Sequence, residues 1–304
     1  MADQTGHPRP AAPLLVGRER ELATLRAAFD AALTGRGSLM LIGGEAGIGK
    51  TALAEALLAG AVTQGALVLV GRCYDLSETP PYGPWTEALG RAPVADDLPP
   101  LPLAVLPSGR DGEALASQEA ILRRVRDYLA ALAARRPLVL LLDDLHWADP
   151  ASLDLLRVVG RQLGTLPLLA LVTYRTDEVV RAHPLASLLP TLVREARAER
   201  LDLRPLDGMA IGALIAARYP LGAPDRERLV GYLAGRTEGN AFFLGELLRT
   251  LQGEGLLYQD DTGWTLGDLE RAPLPVLLRR MCQKSDKGWS ERSPSGNVVT
   301  LTAA

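Results

Sequence analysis

Through the first two thirds of the chain, short unbroken apolar runs alternate with longer stretches whose apolar residues recur every three or four positions. The runs at 38–42, 66–70, 138–142 and 168–173 predict strands buried on both faces, and a shorter one at 201–203 predicts a last strand. A helix is predicted over 22–33, where Leu22, Leu25, Phe29 and Leu33 share one face and Gly35 supplies the stop. Further helices are predicted over 50–61, 118–132 and 152–163. A Pro-rich connection at about 78–110 carries one helix near 85–89, and its length points to an insertion or a binding loop. Buried strands separated by helices predict an α/β fold, a parallel sheet flanked by helices, over residues 14–205.

From residue 206 the pattern turns helical, at 209–219, 225–234 and 242–253, and the segments 255–258 and 264–266 read as a hairpin. This predicts a helical lid over 206–240 and a partial winged-helix element over 241–281. Residues 1–13 are polar, with Pro8 and Pro10 and no apolar core, and read as a flexible tail, not a signal peptide. After Met281 lysine replaces arginine, Ser and Asn rise and the periodicity stops. Residues 282–304 therefore read as a disordered or non-native tail, the expected mark of a frameshift or truncation.

Composition narrows the class. The 304 residues are 47% hydrophobic and 23% charged with a net charge of −3, ordinary for a globular protein and without the basic excess of a nucleic-acid-coating surface. The longest apolar runs fall far short of the roughly 20 residues that span a bilayer, so no membrane partner is expected. Cys73 and Cys282 have no metal-ligand spacing, which leads to the expectation of a cytoplasmic protein with reduced thiols. Only three of the 33 basic residues are lysine: Lys50, Lys284 and Lys287. A lysine kept at 50 against an arginine background implies a task for a compact point charge on a flexible stem.

The neighbours of Lys50 name that task. Gly44, Glu45, Ala46, Gly47, Ile48, Gly49, Lys50 and Thr51 fit G-x-x-x-x-G-K-[ST], with an apolar strand before and a helix after, as a P-loop requires. Glycines let successive N–H groups turn inward around phosphate, and the helix N-terminus adds its dipole. Lys50 would reach the β/γ-phosphates of ATP, and the Thr51 hydroxyl would ligate Mg²⁺. The apolar run at 138–142 ends in Asp143-Asp144, the Walker B pattern, so Asp143 is the second expected Mg²⁺ ligand. Asp144 stands where many such ATPases carry the glutamate that positions the attacking water. Asp149, before Pro150 and Ser152, reads as a helix cap. Arg175 ends the 168–173 run; it is a γ-phosphate sensor if that strand lies between the other two, and otherwise a solvated strand-end charge. His146 and Trp147 read as a packed loop beside Asp143, with a metal or stacking site as the alternative.

Residues 15–21 (LVGRERE), the P-loop, residues 140–149 (LLLDDLHWAD), residues 173–175 (TYR) and residues 237–244 (TEGNAFFL) occur in that order. Together they resemble the AAA+-related STAND class of signalling ATPases, specifically the ATPase module of large LuxR-type bacterial transcriptional regulators, also found on some adenylate cyclases. The resemblance covers about residues 14–280. It implies that Val16, Gly17 and Arg18 lie against adenine and ribose, and that Gly239 and Asn240 belong to the nucleotide-sensing lid. The family usually has proline where Ala241 stands. Such regulators also continue through helical repeats to a DNA-binding helix-turn-helix, so DNA would be a partner only through that further domain. Three readings follow: an ATP-hydrolysing switch with ATP and ADP as ligands and self-association or a regulatory protein as partner, a module that holds nucleotide without turnover, and an origin-recognition-like DNA loader.

Overall fold

The computed structural model describes residues 15–75, 80–93, 98–100, 118–261 and 263–273. The expected tails at 1–13 and 282–304, and much of the Pro-rich connection, lie outside the described residues. The chain divides after Arg204 into two units.

In the first unit the described elements run α1 (Glu19–Leu33), β1 (Ser38–Gly44), α2 (Lys50–Thr63), β2 (Leu67–Arg72), α3 (Gly83–Gly90), α4 (Gln118–Arg135), β3 (Leu138–Asp143), α5 (Pro150–Gly160), β4 (Leu168–Arg175), α6 (Pro184–Glu195) and β5 (Glu199–Asp202). The strands form one parallel sheet in the order β2-β3-β4-β1-β5. The three central strands are buried nearly end to end, as their unbroken Leu, Val and Ile runs require. Alternate side chains feed two cores: Leu138, Leu140 and Leu142 pack with α3, α4 and α5, whereas Val139 and Leu141 pack with α1 and α2.

That alternation places the chemistry. Asp143 follows Val139 and Leu141 on the α2 side of β3, and Thr173 follows Leu169 and Leu171 on the same side of β4. In register Leu142 pairs with Val172, and Gly44 at the end of β1 pairs with Arg175. The polar residues that end β3 and β4 therefore lie beside the glycine end of β1, from which the chain turns into α2.

Several boundaries differ from the sequence expectation. The helix expected over 152–163 stops at Gly160, and Leu163 enters a separate 3-10 turn (Leu163–Thr165). The last strand lies at Glu199–Asp202, earlier than expected and exposed, because it pairs only along the β1 edge. Helix α6 was not expected at all. Its apolar face, Leu185, Leu189 and Leu192, is buried, but Pro190 sits inside it and breaks the local signal.

The second unit contains α7 (Gly208–Arg218), α8 (Ala223–Thr237), α9 (Ala241–Gly253) and the antiparallel hairpin β6 (Leu257–Asp260) and β7 (Gly263–Leu266). One core joins all of them, with Ile211, Ile215, Leu229, Leu233, Leu244, Leu248, Leu257 and Leu266 buried together.

Candidate functional site

The loop between β1 and α2 is held by its own backbone and by side chains reaching into it. Gly47 and Gly49 sit at φ 74° and 106°, conformations that a Cβ would strain. Ile48 anchors the loop in the α1/α2 core while Glu45, Ala46 and Gly47 form its exposed crest. Lys50 Nζ donates to the carbonyls of Gly44 at 2.9 Å and Glu45 at 2.8 Å, so the ammonium lies across the loop mouth. Lys50 is buried, and burial pulls its pKa below the ordinary lysine value; Asp144, Asp177 and Asp143 oppose that shift and Arg175 adds to it.

Arg18 serves the loop from behind. Its Nη2 donates to Ile48 O at 3.1 Å and to Arg204 O at 2.7 Å, and its Nη1 pairs with Glu21 at 3.2 Å. The buried guanidinium thus ties the P-loop to the last residue of the first unit. Val16 is half-buried, and Gly17 donates its N–H to Glu19 Oε1 at 3.0 Å at the start of α1.

At the strand ends, the Thr51 hydroxyl lies 3.3 Å from Asp143 Oδ1 and 3.4 Å from Oδ2. Thr173, fully buried, donates its hydroxyl to Asp143 Oδ1 at 2.5 Å and accepts the Asp144 N–H at 2.8 Å. Thr173 lies in the 173–175 segment, but no motif there assigns it a role of its own. Its signal is a hydroxyl closing an otherwise apolar strand, meaningful only once β4 is known to lie beside β3. Asp144 turns away from the strand at φ 57°, a left-handed conformation uncommon outside glycine. Burial, then the charge of Asp143, raises its carboxyl above the usual range, with Arg175 and Lys50 pulling the other way.

β4 does lie between β1 and β3, the condition set for Arg175 as a sensor. Its guanidinium is not freely solvated: Nη1 meets Glu178 Oε1 at 2.5 Å, and the group stacks 4.7 Å above the Trp147 ring. His146 is buried beneath this pair, in tilted contact with Trp147 at 4.5 Å. Burial first, with Arg175, Lys50 and His183 adding, pushes its pKa down to about 4, so the ring is neutral at pH 7. Asp149 caps α5 as expected, accepting from Ser152 N at 2.9 Å and Ser152 Oγ at 2.5 Å, and the Ser152 carbonyl accepts the buried Trp85 indole at 3.1 Å.

In the second unit Asn240 caps α9, its Oδ1 accepting from Phe242 N at 3.1 Å and Phe243 N at 3.5 Å. Gly239, at φ 77°, lies so close to Leu206 that a Cβ would stand 2.2 Å from the Leu206 carbonyl oxygen. Both residues have local work in their own unit.

These donors fit a nucleotide phosphate and one divalent cation. Gly47 and Gly49 open the loop backbone, a buried ammonium faces it, and one hydroxyl and one carboxylate converge within 3.3 Å. Mg²⁺ keeps several waters and needs only one or two protein oxygens beside the phosphates, and among the described residues no larger cluster of metal ligands occurs.

The family model for the AAA ATPase domain matches residues 14–172, more than half of the chain. The chain belongs to the AAA ATPase domain family. Members of this family bind nucleotide with Mg²⁺. An uncharacterized protein of Rhizobium meliloti, R02095, is 29% identical over 236 residues, a match covering 68% of this chain and 22% of that protein. The chain thus spans about a fifth of the length of that relative. Among solved structures, the ORC1 protein of Aeropyrum pernix in complex with DNA matches with a TM-score of 0.51 at 22% identity, covering 79% of this chain and 60% of that one. Cdc6p from Pyrobaculum aerophilum matches with a TM-score of 0.54 at 17% identity, covering 81% and 65%. At these identities the likeness is one of fold: a P-loop α/β domain with a central strand between the two motif strands. No helix among the described residues is long and apolar enough to cross a membrane.

Proposed function

We propose that this AAA ATPase domain is a nucleotide-dependent switch that binds ATP with Mg²⁺ and hydrolyses it slowly, as the ATPase module of a STAND-class, LuxR-type bacterial regulator. The observation that carries the reading is the meeting of Lys50, Thr51, Asp143 and Thr173 at the ends of three adjacent parallel strands and the start of α2. Lys50 would meet the β/γ-phosphates, and Thr51 and Asp143 would hold the cation. Mg²⁺, when bound, offsets charge on the phosphate oxygens.

In the proposed reaction water attacks the γ-phosphorus as the bond to the β,γ-bridging oxygen breaks, and Asp144 takes the proton of the attacking water. Asp144 suits this role because burial and Asp143 raise its proton affinity. Arg175 would read the γ-phosphate and so separate ATP from ADP. The class assignment rests on the motif series from residue 15 to residue 244. A regulatory protein or a second copy of the chain would read the switch.

The test is Mg²⁺-dependent phosphate release by purified protein beside Lys50→Ala and Asp143→Ala. Release lost in both variants, with their fold retained, supports the switch. Nucleotide held with no release above the Asp143→Ala level would reduce the protein to a binding module.

A further inference from the structure

Arg18 sits behind the P-loop with only 5% of its surface exposed. Its guanidinium is fixed on three sides, Nη1 by Glu21 and Nη2 by the carbonyls of Ile48 and Arg204. Nη2 carries two N–H groups, and these two carbonyls account for both. That nitrogen therefore has no donor left for a ribose or a base. It holds instead a carbonyl inside the phosphate-binding loop, 30 residues away in sequence.

We infer that Arg18 is a positioning residue for the phosphate cradle: by holding the Ile48 carbonyl, it turns the Gly49 N–H towards the nucleotide phosphates. The link is the peptide plane. The bond between Ile48 and Gly49 is trans, so the Ile48 C=O and the Gly49 N–H point in opposite directions across one planar unit. With the carbonyl drawn back to Nη2 at 3.1 Å, the N–H faces away from Arg18. Gly49 is the residue before α2, and its own carbonyl accepts from Leu53 N at 3.0 Å. Its N–H is thus one of the four donors that a helix start leaves without an intrahelical partner. A donor of that kind, turned out of a glycine-rich loop, is what an anion nest is made of. The Ile48 side chain is anchored in the core, but glycine at 49 leaves the plane between them free to flip. Arg18 removes that freedom, and Glu21 and the Arg204 carbonyl keep the guanidinium itself from turning. This rests on the proposed ATP site and adds a residue that shapes it without touching the nucleotide.

The experiment follows hydrogen exchange of the Gly49 amide by nuclear magnetic resonance, with and without saturating Mg²⁺ and ADP, in the unsubstituted chain and in Arg18→Ala. ADP supplies phosphates without turnover. In the unsubstituted chain it slows the Gly49 amide about tenfold or more. In Arg18→Ala the dissociation constant for ADP rises about tenfold. At saturation its Gly49 amide stays as fast as without nucleotide, while the amides of β1 keep their protection. A merely stabilising arginine would speed exchange in β1 and at Gly49 alike. An arginine that touches adenine or ribose would weaken ADP binding yet leave Gly49 protected at saturation. Either result overturns the inference, as does a Gly49 amide that ADP does not protect in the unsubstituted chain. If Arg18→Ala fails to fold, Arg18→Lys takes its place with the same expectation, since it keeps the charge but not the planar fork that reaches two carbonyls. If the unsubstituted chain does not bind ADP at all, the nucleotide-site reading falls and takes this inference with it, a result that the binding measurement alone tells apart from the others.

Discussion

Thr173 and Asp143 are joined across adjacent parallel strands by a 2.5 Å hydrogen bond, and the same threonine oxygen accepts the Asp144 N–H at 2.8 Å. One buried hydroxyl on β4 therefore sets the orientation of both acidic residues at the end of β3. The Thr51 hydroxyl approaches the same carboxylate from α2, so Asp143 is held from two sides.

Replacing that hydroxyl alone gives the first prediction. Thr173→Val preserves shape but strands the Asp144 N–H inside the sheet and leaves Asp143 to the Thr51 hydroxyl alone, at a cost of about 1–3 kcal/mol. Chemical denaturation should show that loss, and phosphate release should fall about tenfold or more. Thr173→Ser should restore most of both. Equal behaviour of Val and Ser would deny the hydroxyl its role.

A pH dependence of stability follows from His146. Its pKa drops from 6.5 to about 4 in the fold, so between those values the unfolded chain binds the proton more readily. Stability from this group is present above pH 6.5, falls as pH drops and is lost at about pH 4. Asp144, with its carboxyl raised chiefly by burial, works in the opposite sense, so the informative comparison is with a variant. Denaturation curves from pH 7 to pH 4.5 should fall less steeply for His146→Gln than for the unsubstituted protein. Parallel curves would contradict the burial of a neutral ring.

Gly239 should tolerate no side chain. Gly239→Ala must accept φ 77° and a contact 2.2 Å from the Leu206 carbonyl oxygen, which should destabilise the second unit by about 1–3 kcal/mol. The Leu206 N–H now bonds the Gly239 carbonyl at 2.9 Å, and faster exchange of that amide would report the damage directly. Protection like that of the unsubstituted chain would show that the turn has room to spare.

How far the site could be read in the sequence depended on whether its parts are contiguous. The P-loop is local: a strand, a turn requiring glycine and a helix start lie within a few residues, and their spacing alone defines the cradle. Asp143 was legible for the same reason, as an acid closing an apolar strand. Thr173 was not, because its meaning depends on β4 lying beside β3, a pairing between residues 30 apart in sequence. Arg175 could be stated only conditionally, because its place depends on the order of strands far apart in sequence. Arg18 carries a motif that the resemblance assigned to adenine and ribose, whereas its side chain bonds the Ile48 and Arg204 carbonyls, and no spacing rule would reveal that. Helix α6 stayed hidden behind Pro190, although Leu185, Leu189 and Leu192 keep helical spacing once the tertiary context is known.

The most direct test of the switch is a titration of the unsubstituted chain and Lys50→Ala with ATP, with and without Mg²⁺, followed by measurement of phosphate release. Lys50 Nζ lies on the Gly44 and Glu45 carbonyls at the loop mouth, where an incoming phosphate would replace those bonds. The expected result is Mg²⁺-dependent binding and slow release by the unsubstituted chain, both lost in a folded Lys50→Ala variant. Equal ATP binding by the two proteins, or binding indifferent to Mg²⁺, would contradict the assignment of this loop as the nucleotide site.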